Sequence, residues 1–87
     1  MLNMSQTIER TTLTQLVTNE QYARKVLPFM KKDYFSDRTE RTVFEEITKF
    51  VDKYNKIPTQ TSLEIEVQGR KDLNEDDYKK VVAVIQT

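Results

Sequence analysis

The groups in this sequence best suited to chemistry are carboxylates, because the chain holds no His and no Cys. That removes the commonest general base, thiol nucleophiles, disulfides and Cys-based zinc sites. Asp72, Asn74 and Asp76 imitate the opening of a D-x-[DN]-x-[DN]-G calcium loop. The sixth position is Asp77 where the turn needs Gly, and the twelfth is Ala83 where a bidentate Glu belongs. The simpler reading makes Asn74 a helix N-cap followed by first-turn acids. Glu45-Glu46 and Glu64/Glu66 have the types for paired acid–base work. Nothing beside them raises a carboxyl pKa or brings a metal, so they are expected on solvated helix faces. Gly69 is the single glycine, which excludes Gly-rich phosphate loops. No catalytic, cofactor or metal site is expected, and the sequence reads as a binding or assembly module.

Length and charge narrow the class further. Eighty-seven residues hold about one small domain, here spanning residues 1–87. The 14 Lys+Arg cancel the 14 Asp+Glu, so no net field marks the chain for nucleic acid or membrane. The basic pairs Arg24-Lys25, Lys31-Lys32 and Lys79-Lys80 are diluted by interleaved acids. No run approaches the roughly 18 apolar residues of a membrane span. The first ten residues lack a basic leader and an apolar signal segment, so a cytoplasmic location is expected. Asn3-Met4-Ser5 fits the N-glycosylation pattern and is read as chance.

Two Pro and one Gly interrupt a sequence otherwise rich in helix formers, and an all-α bundle of about five short helices is expected. The first helix covers about Ser5 to Val17, with Ile8, Leu13, Leu16 and Val17 as its apolar stripe. Asn19 caps the second, whose Tyr22, Val26, Phe29 and Met30 fall at helical spacing. Pro28 should end or kink it unless a 3₁₀ turn relaxes the chain. Lys31 and Lys32 suit its C-terminus. The third segment, Asp37 to Tyr54, is the long central amphipathic helix. Val43, Phe44, Ile47, Phe50 and Val51 are its expected core residues. Ser36 or Asp37 can cap it, Asp37 and Glu40 resemble a capping box, and Glu45 to Lys49 is a favourable i,i+4 pair. Asn55-Lys56-Ile57-Pro58 ends the helix, since the residue before proline is pushed out of the helical region. Thr59 caps a fourth segment with Leu63 and Val67, closed by Gly69 as C′ residue, although Leu63, Ile65 and Val67 also alternate like a strand. Asn74 caps the last, with Tyr78, Val81, Val82 and Ile85 as its stripe and no stop signal before Thr87.

Tyr34-Phe35 offers two readings. Phe35 can plug the core as a staple onto the third helix while Tyr34 covers a seam, or an aromatic can stand exposed at an assembly surface. Leu27, Phe29, Met30 and Tyr34 are the candidates for that surface.

The order of these signals resembles a known family. Leu13-Thr14-Gln15-Leu16 leads into Tyr22 to Lys25 and Val26-Leu27-Pro28-Phe29-Met30. Asp33-Tyr34-Phe35 follows, then Val43-Phe44 and Ile47, then Tyr54-Asn55-Lys56-Ile57-Pro58-Thr59 and Leu63. From about Ile8 to Ile85 this is similar to the N-terminal domain of DnaB-type replicative DNA helicases, most closely the T-even-type phage version. The resemblance implies a non-catalytic helical head, with the ATPase in a separate C-terminal domain of the same helicase. It implies self-association, as a dimer or higher, into a hexamer collar, and recruitment of primase or a helicase loader. It also implies that 1–87 is a fragment of a longer chain, working in the cytoplasm of a bacterial host if phage-encoded. The competing expectation is a small helical DNA-binding regulator or a stand-alone helicase adaptor, with Arg38, Arg41 and Lys49 facing a duplex. Zero net charge makes direct nucleic-acid binding absent or weak by comparison.

Overall fold

The computed structural model describes residues 4–86, with side chains from Ile8 onward. Asn3 and Thr87 lie outside the described residues. Five α-helices follow in order: α1 (Met4–Thr18), α2 (Glu20–Val26), α3 (Arg38–Tyr54), α4 (Gln60–Gln68) and α5 (Glu75–Gln86). Two 3₁₀ turns, Leu27–Phe29 and Lys32–Tyr34, join α2 to α3, and the described residues contain no strand. The Leu63/Ile65/Val67 alternation is therefore helical. No described helix is long and apolar enough to cross a membrane.

Side-chain caps set most of the helix starts. Asn19 accepts a hydrogen bond from Tyr22 N–H at 3.1 Å, Asp37 from Glu40 N–H at 3.0 Å and Thr59 from Ser62 N–H at 3.0 Å. Asn74 accepts one from Asp77 N–H at 2.7 Å, the capping role expected of it. Asp37 therefore stands just outside α3 as its cap. The return half of the capping box is missing, because the Glu40 carboxylate takes its bond from Arg10 instead. Pro28 lies in the first turn of the 3₁₀ segment, so the chain leaves α2 at Val26 without a broken ladder.

α3 ends at Asn55 as expected, and the end of α4 differs from expectation. Gly69 has φ −79°, an ordinary right-handed conformation, so its conformational freedom is unused. The left-handed cap belongs to Asn55, at φ 54° and ψ 37°, whose N–H bonds Val51 O at 2.8 Å. Asn tolerates this region because its short side chain adds little strain there.

α3 lies centrally, packed on α1, α4, α5 and the second 3₁₀ turn. Its Val43, Phe44 and Ile47 are buried against Leu13, Leu16 and Val17 of α1, Leu63 and Val67 of α4, and α5. Val51 is half-buried at the edge of this cluster. Phe50, expected in the core, is only half-buried; its ring lies 4.6 Å from that of Tyr54, near the helix end. In α1 the stripe is Glu9, Leu13, Leu16 and Val17, and Ile8 is exposed. Position 8 lies five residues before Leu13, off the i, i+4 face, whereas position 9 lies on it. In α5 Val84 joins Val81 and Ile85 inside, while Val82 is half-buried. Phe35 is fully buried and meets Phe44 at 5.4 Å between ring centres.

Candidate functional site

Three glutamates, Glu9, Glu40 and Glu46, are buried in the folded chain. Glu9 accepts from Ser36 N–H at 2.6 Å and from the Ser36 hydroxyl at 3.3 Å. Arg10 pairs with Glu40, so α1 grips the start of α3 at two adjacent positions. Glu46 pairs with Arg70 at 2.9 Å, which corrects the solvated face assigned to it. Lys49 lies 3.7 Å from Glu46, an i,i+3 pair in place of the expected one with Glu45. These contacts satisfy buried charge and hold helices together.

The calcium-loop imitation resolves the same way. Asp72 takes two hydrogen bonds from Arg70, at 2.9 and 2.6 Å, and Asn74 caps α5. Hydrogen bonding from the guanidinium brings the exposed Asp72 carboxyl down from 3.8 to about 2. The Arg70 pKa rises, first through that hydrogen bond and also through the charges of Asp72 and Glu46. Among the described residues no group of three Asp or Glu could hold a metal.

The aromatic surface is different in kind. Phe29 is 86% exposed and Tyr34 45%, whereas Leu27 is buried in the core and Met30 half-buried. Leu27 therefore anchors the turn from beneath, with its side chain buried where Phe29 is exposed. A 3₁₀ turn has three residues per turn, so burying Leu27 turns Phe29 outward. Tyr34 is set by its buried neighbour Phe35, edge to face at 5.1 Å and 85°, and its hydroxyl lies 3.5 Å from Thr12 Oγ1.

Together Thr12, Tyr22, Val26, Phe29, Met30 and Tyr34 line an open groove of about 480 Å³, with Lys31 on its rim. Ile8, 52% exposed one turn before Thr12 on α1, extends this apolar face. A second hollow of about 500 Å³ lies behind the Leu27–Phe29 turn, floored by Leu27, Pro28, Val51 and Ile57. A single exposed Leu or Phe on a surface is ordinary, whereas here several large apolar groups line one concavity. Spacing alone put Tyr22, Val26, Phe29 and Met30 on one face; which of them escapes burial depends on the turn at Pro28.

Of the residues of the DNA-binding alternative, all on α3, two are near carboxylates of the chain. Arg38 faces Asp77 at 3.7 Å and Lys49 faces Glu46.

The chain was compared with known proteins. No curated protein matches it. A family model does, over residues 1–87, and its description is DnaB-like helicase N terminal domain.

Proposed function

The chain belongs to the family of DnaB-like helicase N-terminal domains, and from that premise we propose that it is the non-catalytic assembly head of a replicative DNA helicase. In this reading residues 1–87 are one domain of a longer chain whose ATPase follows. The head associates with copies of itself into a collar and recruits primase or a helicase loader. A T-even-type phage helicase, acting in the cytoplasm of a bacterial host, is the specific form that the residue pattern favours.

The observation that carries the assembly role is Phe29 with Tyr34, standing exposed at the mouth of an apolar groove. Aromatic anchors at the centre of an apolar patch dominate association energies, and losing one costs about 2 kcal/mol or more. The Phe29→Ala chain should therefore associate at least about tenfold more weakly than the native chain, as read by sedimentation equilibrium. Unchanged association of Phe29→Ala would remove this surface from the assembly role. A monomer at every concentration reached would remove self-association from this domain.

A further inference from the structure

The chain is neutral as a whole and electrically divided in detail. Residues 20–36 carry Arg24, Lys25, Lys31 and Lys32 against Glu20 and Asp33. Arg24 and Glu20 pair at 2.8 Å. Among the described residues Lys25, Lys31 and Lys32 have no carboxylate within 4 Å. Lys31 stands on the rim of the Phe29 groove, and Lys25 is one helical turn before Phe29. Lys31 therefore places positive charge on the rim of the apolar groove.

The counterpart lies on α4, a helix with Glu64 and Glu66 and no basic residue. Between them stands Ile65, 60% exposed although it is large and apolar. Its helical neighbours Thr61 and Gln68 are exposed and polar, so Ile65 stands out from this face. Glu64 accepts from the amide of Gln86 at 2.6 Å and Glu66 from the Tyr54 hydroxyl at 3.4 Å. Both donors are neutral; the charge of Glu66 also acts on Lys53, whereas Glu64 has no basic partner within 4 Å among the described residues. α4 packs on α3 and α5, while α2 packs on α1 and on the turn after it. The two patches lie on separate elements, and one molecule can offer both at once.

We infer that the partner of the Phe29 groove is the α4 face of a second copy of this chain. Ile65 enters the groove between Tyr22, Val26 and Met30, with Glu64 and Glu66 facing Lys25, Lys31 and Lys32. The inference rests on the self-association reading and specifies its geometry. A groove on one copy meeting a knob on another is a heterologous contact, which propagates into a ring or an open chain, whereas a two-fold contact stops at a pair. Charge pairing at the rim sets orientation and makes the association sensitive to salt.

The test uses two surface variants of the chain. One reverses the groove rim with Lys25→Glu and Lys31→Glu; the other replaces the knob with Ile65→Lys. Each alone should associate at least about tenfold more weakly than the native chain, and circular dichroism should show native helix content in both. An equimolar mixture should form a heterodimer and grow no further, because each variant keeps the face the other has lost. If Ile65→Lys associates like the native chain while the groove variant does not, the groove pairs with itself. That result overturns this inference and leaves self-association standing. A native chain that stays monomeric overturns both.

Discussion

Glu46 shows what a buried carboxylate does in a chain with no catalytic task for it. Its partner Arg70 is only 15% exposed at the side chain and is held by Glu46 on one side and Asp72 on the other. Removing Glu46 takes one of these two carboxylates away and leaves Arg70 its bonds to Asp72. Glu46→Ala should therefore destabilise the domain by about 1.5–3 kcal/mol in thermal unfolding, the scale of a hydrogen bond to a charged group. Glu40→Ala should cost less, because the released Arg10 is 37% exposed and water reaches it. Asp72 adds a pH dependence. Its carboxyl is lowered from 3.8 to about 2 on folding, so its contribution is complete above pH 3.8 and fades as the pH falls towards 2. Asp72→Asn should lower the melting temperature at pH 7, and the difference from the native chain should close by about pH 2. None of these pairings is legible in the sequence. Arg10 and Glu40 stand thirty residues apart, and only the packing of α1 against α3 makes them neighbours. Local rules assign Glu40 to a capping box and Glu46 to water; tertiary contact overrides both.

At the scale of the element, the helix starts and the place where α3 ends were legible, and the left-handed conformation of that end was not. Asn19, Asp37, Thr59 and Asn74 cap as their types and positions indicate, because capping is settled within three residues of the chain. The end of α3 depends on how the chain must turn to bring α4 back onto it, and that turn falls on Asn55 in the left-handed region. A glycine elsewhere gave no hint of this. Asn55→Val should lower stability by about 1–2 kcal/mol, since a β-branched residue resists positive φ, while Asn55→Gly should hold it or raise it slightly. For a domain of this length that is about 4–8 °C per kcal/mol in melting temperature. The break at Pro28 was also legible. Its outcome, with Leu27 inside and Phe29 outside, follows from the three-residue period of the turn and from the core beneath it.

For the whole molecule, the all-α bundle around α3 follows from the long apolar stripe of that helix, which no other segment matches in length. The core position of Phe44, in contact with the buried Phe35, makes it the most exacting test of the bundle. Phe44→Ala should cost about 3–5 kcal/mol, a large part of the stability of a domain this small. Phe50→Ala should cost less, about 2 kcal/mol, because that ring is only partly buried and lies outside the core cluster. The proposed surface takes in residues 27 to 34, and burial sorts them into exposed Phe29 and Tyr34, half-buried Met30 and buried Leu27. What the turn at Pro28 does for that surface is a matter of entropy. The prolyl ring fixes its own backbone, Leu27 is held in the core, and the Met30 N–H is tied to Leu27 O at 3.2 Å. The Phe29 backbone is thus ordered before any partner arrives, and two side-chain torsions are all that docking must still freeze. Such a preorganised ring turns most of the area it buries into affinity, where the same ring on a slack loop would lose much of it to ordering.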